Sequence, residues 1–145
     1  MKKQILISLV LILTGLVVST NAQTPQRPEL RANIPFAFHV GQASLPAGEY
    51  RISVVNPSSD RKVLRVSSLD GRSSAMVQVT TVSGKEHDHA KLLFNRYGDQ
   101  YVFAVAELAG EQTSFATLKT KSERALERNV GKTGLAKDVV AVNAR

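Results

Sequence analysis

Glu86-His87-Asp88-His89 is the densest run of side chains able to do chemistry in this chain. In an extended segment His87 and His89 project to one side, close enough to share a metal ion. Glu86 and Asp88 then point away, placed to act as acceptors behind the ligands. A zinc or copper site of this kind needs at least one more ligand, and His39 is the only imidazole left. His87, His89 and His39 are therefore the candidate metal centre, with a metal-dependent enzyme or a metal-binding protein as its functional form. The competing reading is a polar, unliganded connection between strands, which two histidines without a placed third ligand favour.

Other constellations carry less. Ser67, Ser68, Ser73 and Ser74 surround a turn, where serine is ordinary, and no Gly-x-Ser-x-Gly elbow is present. Glu86, Asp88, Glu107 and Glu111 lie near loops or strand ends, and no spacing singles out an acid–base pair. Val130-Gly131-Lys132-Thr133 has the end of a phosphate-binding loop, but Leu126 stands where its first glycine is needed. Cysteine is absent, which removes thiol chemistry and a cysteine-linked lipid. No catalytic residue is assigned, no cofactor is implied, and the expected protein is not an enzyme.

The element that must organise these residues is Lys91–Leu108, two apolar runs joined by Gly98-Asp99. A two-residue hairpin there pairs Tyr97 with Gln100 and Arg96 with Tyr101. It continues with Phe94 opposite Phe103 and Leu92 opposite Val105. Paired aromatics with a guanidinium over the phenol ring mark the centre of a β core. The other face carries Leu93, Val102, Ala104 and Ala106, so either it is covered, for which a helix at Glu123–Asn129 is available, or it meets a ligand or partner.

Upstream, Gln23–Arg31 reads as an extended linker through Pro25 and Pro28, within a linker region of 23–32. Strands follow at Asn33–Val40 and Glu49–Val55, separated by a loop over Gly41–Gly48. Asp70-Gly71 carries a type I′ signal and pairs Leu64 with Val77 and Val66 with Ala75. A weaker strand is expected at Thr113–Leu118. Thr120-Lys121-Ser122-Glu123 has the form of a capping box, with the threonine accepting from the third helical amide and the glutamate reaching back. Beyond the helix, 130–145 reads as a basic, flexible tail.

The expected fold is all-β: six or seven antiparallel strands in meander order, as a sandwich or small barrel, with a short C-terminal helix over a β domain at 33–129. Four stretches, Phe38-His39-Val40-Gly41, Leu45-Pro46-Ala47-Gly48-Glu49-Tyr50, Phe94–Tyr101 and Ser122-Glu123-Arg124-Ala125, resemble a family of small exported β-rich proteins of soil bacteria. The resemblance covers about residues 33–128. It implies export and a β-rich fold; the family has no assigned activity, so no site transfers.

Residues 1–22 support the same address. Lys2 and Lys3 precede an apolar run at Ile5–Val18, and Ser19-Thr20-Asn21-Ala22 supplies small residues before Gln23. This is the layout of a signal peptide cleaved after Ala22, with a run shorter than the roughly 20 residues of a spanning helix. Retention as an anchor is the rival. With cleavage, the protein is secreted or periplasmic, has no stable membrane span, and fits a bacterial envelope.

The net charge is +7, yet Lys119–Arg145 holds seven basic and three acidic residues, so the body is near neutral. A basic tail on a neutral body can touch an anionic envelope component, whereas export makes nucleic acid an unsuitable partner. The expected function is that of a non-catalytic envelope or extracellular protein with a structural or binding role. The metal centre, and a carrier of a small apolar ligand in a β-barrel, are the alternatives.

Overall fold

In the computed structural model, which describes residues 29–134 and 137–145, the central hairpin is β7 (Lys91–Tyr97) and β8 (Gln100–Glu107). The expected signal segment and most of the linker lie outside the described residues. Tyr97 pairs with Gln100, Arg96 with Tyr101, and Phe94 with Phe103, as the turn dictates. Of the two turn residues only Gly98 has positive φ, at 62°, which is the glycine-first pattern of a type II′ turn. Past Phe94 the register shifts by one, so Leu92 faces Ala106 and not Val105. Ala104 is the extra residue, a bulge that turn chemistry at the far end does not foretell.

Around this hairpin run β1 (Glu29–Ile34), β2 (Phe38–Val40), β3 (Ala43–Leu45), β4 (Gly48–Val54), β5 (Lys62–Ser68), β6 (Ser74–Ser83), β9 (Thr113–Thr117) and β10 (Lys137–Asn143). The all-β class holds, but the meander order and the strand count do not. The described residues form ten strands in one mixed sheet, not the two sheets of a sandwich, ordered β1-β4-β5-β6-β9-β8-β2-β3, with β7 between β8 and β10. β9 separates β6 from β8, and β2 meets β8 in parallel through His39 and Val102. The sheet curls until Arg31 and Arg145 exchange backbone hydrogen bonds of 2.8 and 2.9 Å.

Several sequence readings change for local reasons. Glu29–Arg31, expected as linker, belongs to β1, where Leu30, Ala32 and Ile34 alternate inward. Pro35, lacking a donor, breaks the expected first strand into β1 and β2. Gly41, at φ 62°, turns β2 into β3 where a plain loop was expected. At Asp70-Gly71 the register is the expected one, Leu64 with Val77 and Val66 with Ala75. The turn is not type I′, because Asp70 does not take positive φ; it accepts instead from Ser68 Oγ and the Arg72 amide.

Inside the curl, Phe36, Phe38 and Phe103 set their rings edge-on to Phe94, and Phe38 meets Tyr50 likewise. Phe36 also stacks on Tyr101 at 3.9 Å, with the Arg96 guanidinium 5.7 Å from the same phenol ring.

Among the described residues one helix forms, α1 (Lys121–Thr133), and it covers the outer face of the hairpin through Leu126 and Val130 against Tyr97 and Val102. It runs a turn longer than expected, through Gly131 to an αL cap at Gly134. The Glu123 amide donates to Thr120 Oγ1 at 3.1 Å, one half of the capping box. The other half is absent. Glu123 turns inward and accepts from Asn95 Nδ2 at 2.9 Å and the Tyr97 hydroxyl at 3.0 Å, tying the helix to β7. Nor is the last segment a flexible tail: 137–143 forms β10, paired along all of β7 with Val142 and Ala144 against the core.

Candidate functional site

The His87 segment crosses the outside of the sheet between β6 and β7. Its backbone is tied to the β8–β9 connection: the His87 amide donates to Glu111 O, the Gly110 amide to His87 O, and the Gly84 amide to Gln112 O. The imidazole is engaged at both nitrogens. Nδ1 lies 3.3 Å from Glu107 Oε2, and Nε2 lies 3.0 Å from Ser114 Oγ. Lys91 Nζ reaches the same carboxylate oxygen at 3.1 Å. That buried oxygen meets both neighbours outside good hydrogen-bond geometry, so its contact with Lys91 is mainly coulombic.

A carboxylate, an imidazole and a serine in this order have the connectivity of a nucleophilic triad. Here it serves the fold. Ser114 is buried at 8 % exposure beneath His87, on a strand paired at that residue with Val82 on one edge and Glu107 on the other. An electrophile cannot approach Oγ without displacing the loop that supplies the base. The group fastens two connections to the sheet. Glu107 and Ser114 become neighbours only because β9 lies beside β8, and the 27-residue span from His87 to Ser114 leaves no spacing signal in the sequence.

The candidate metal centre is not assembled. Among the described residues no three His, Cys, Asp or Glu side chains are grouped to hold a metal ion. His87 is committed to Glu107 and Ser114, His39 sits on β2 opposite Ser44 and Val102, and exposed His89 borders an open surface depression with Asp88 and Glu29.

A second feature gathers charge. Lys121, Arg124, Arg128 and Lys132 recur on α1 at spacings of three, four and four residues, which places them on one face. All four are exposed, opposite the side that docks through Glu123, Leu126 and Val130. No ion pair joins any of them among the described residues; Glu127 is taken instead by Lys119 at 2.8 Å and Lys137 at 3.2 Å. Those two ammonium groups hold the Glu127 carboxyl below its usual range. The row spans about 16 Å along the axis.

Lys121, Arg124 and Arg128 work against the helix that carries them, whereas Lys132 stands in the last turn, where the dipole favours a cation. Arg124–Arg128 and Arg128–Lys132 are like-charge pairs four residues apart, each costing about 0.2–0.5 kcal/mol. Lys121 and Arg124 also stand near the positive end of the helix dipole. The sequence showed the excess charge as a tail; only the full length of α1 aligns it. No family model, curated protein or solved structure matches this chain.

Proposed function

We propose that this chain is an exported, non-catalytic protein of a bacterial envelope or its surroundings, which holds an anionic envelope polymer along the outer face of α1. The observation that carries the reading is the unpaired row Lys121, Arg124, Arg128 and Lys132, which costs the helix stability and has no carboxylate partner among the described residues. A linear chain of phosphates or carboxylates relieves this repulsion along its whole length. A bilayer fits less well, because the apolar side of α1 already faces β7 and β8 and nothing is left to insert. Among the described residues no helix is long and apolar enough to cross a membrane.

The leader at 1–22 and the resemblance to exported β-rich proteins support the address. The carrier reading has less support: a recess lined by Leu30, Ile52, Leu64 and Phe115 holds only about 10 Å³, room for one water molecule at most. The His87 group supports a fastening role better than a catalytic one.

Titration of the purified protein with inorganic polyphosphate tests the polymer reading. Binding is expected at low salt, with log K falling as log salt rises, by the counterion release that governs polyanion binding. Arg124→Gln with Arg128→Gln should weaken it at least tenfold and leave the melting temperature equal or higher. Undiminished binding by that variant, or binding only to phosphatidylglycerol vesicles, refutes it. Sequencing the mature N-terminus from the native host checks export separately: Gln23 is expected, and intact Met1 in a membrane fraction replaces secretion with anchoring.

A further inference from the structure

Two rows of polar side chains lie side by side on the outer face where β10, β1 and β4 meet. At the seam Arg31 and Arg145 exchange both backbone hydrogen bonds, so they stand directly opposite and send their side chains to one face. On its other edge Arg31 pairs with Arg51 of β4. Three guanidinium groups therefore line up across three strands, with neighbouring Cα atoms about 5 Å apart. Two residues along, on the same face, Asn143, Asn33 and Glu49 form a second row, in which Asn33 and Glu49 are register partners. All six residues are exposed.

Both rows run against the preferences of a sheet. Like charges directly opposite destabilise a strand pair, and asparagine is disfavoured in strands. Little in the chain relieves either. Glu29 lies 3.1 Å from Nε of both Arg31 and Arg51, and no other carboxylate pairs with this row among the described residues. Asn56 and Asn95 use their side chains to hold a loop and the helix, whereas those of Asn33 and Asn143 make no hydrogen bond among the described residues. A hollow of about 380 Å³ is lined by every residue of the two rows except Arg51. Exposed Leu69 also borders it, held beside Glu49 by donating its amide to the Glu49 carbonyl at 3.0 Å. Departures from local preference that converge on one hollow, with no gain in packing, mark a functional site.

We infer that this hollow binds an acidic sugar residue, a six-membered ring that carries one carboxylate. The carboxylate lies on the arginine row, where a guanidinium presents a planar fork of donors to both oxygens. The hydroxyls lie on the second row, where each asparagine amide both donates and accepts and Glu49 accepts. The rows are about 7 Å apart along the strands, the reach of one such ring from its carboxylate to its far hydroxyls. Leu69 offers an apolar contact to the C–H face of the ring. Glu49 decides against a chain of phosphates: a second anionic group would meet its carboxylate, whereas a hydroxyl donates to it. The site is separate from α1 and does not depend on what the helix row holds.

Backbone amide shifts of the isotope-labelled protein, titrated with glucuronate, glucose, acetate and inorganic phosphate at one ionic strength, test the site. Glucuronate should shift the amides of Arg31, Asn33 and Glu49 and bind at least tenfold more tightly than each of the other three. Arg31→Gln should weaken it at least tenfold. Asn33→Val puts a better strand former in place, so it should weaken glucuronate at least threefold while the melting temperature stays equal or rises. Arg124→Gln with Arg128→Gln on α1 should leave glucuronate binding unchanged, so this site and the helix row can fail separately. No glucuronate shift at tens of millimolar, equal binding of acetate or phosphate, undiminished binding by Arg31→Gln, or shifts confined to other surfaces would each overturn the inference.

Discussion

Phe94 is fully buried, with the rings of Phe36, Phe38 and Phe103 at centroid distances of 5.2, 5.4 and 5.7 Å. Removing such a ring leaves a cavity that a sheet cannot collapse into, so Phe94→Ala should cost about 3–5 kcal/mol. Phe103→Ala should cost a similar amount. The double variant should lose less than the sum, because the rings touch each other. Denaturant melts of the three variants decide it, and strictly additive losses contradict the contact. This pair was legible in the sequence because a two-residue turn counts outward reliably for a few residues. Leu92 was not, since the bulge at Ala104 depends on how β8 bends against β9 and β2. The Glu107–His87–Ser114 group was illegible for a related reason: it is created by strand order, and strand order is a non-local outcome.

At the scale of the element, α1 shows how a local signal can be half right. Thr120 caps the helix as its sequence requires, but Glu123 gains more by docking on Asn95 and Tyr97 than by returning to the cap. The docking sets a pH dependence. Burial, reinforced by the neighbouring Glu123 charge, pushes the Tyr97 phenol well above its ordinary value; burial and then Asp70 raise Tyr50 as well. Unfolded tyrosines release their protons near pH 10. Above that pH the unfolded state binds fewer protons than the folded one, so stability falls as pH rises. Below it, the contribution is intact. Urea midpoints should therefore be flat from these groups up to about pH 9 and drop beyond pH 10. Tyr97→Phe should shrink that drop, at the cost of a weaker protein at neutral pH because Glu123 loses a donor. An alkaline drop of the same size in Tyr97→Phe would show that the helix is held by other contacts.

Across the whole molecule, the β-rich class was readable from period-two alternation and turn residues, whereas closure of the fold was not. β10 reads as a tail because Val139, Val140 and Val142 are flanked by charged and small polar residues, a weak pattern for a strand. It becomes a strand because β7 offers an entire unpaired edge, which Lys137–Asn143 covers residue for residue from Tyr97 to Lys91. The same segment brings Val142 and Ala144 to the core and Arg145 to Arg31. Deleting 137–145 would strip β7 of its outer partner, uncover part of the core beside Leu92 and undo the only backbone pair that joins the described sheet to β1 at the seam. A loss of even about 2–3 kcal/mol lowers the melting temperature of a domain this size by roughly 10 °C. A fall of at least that order is therefore expected in a thermal melt of the deletion variant, with faster amide exchange along Leu92, Phe94 and Arg96. A melting temperature within a few degrees of the intact protein would mean that β10 is an accessory, and that the core is complete with β7 at its edge.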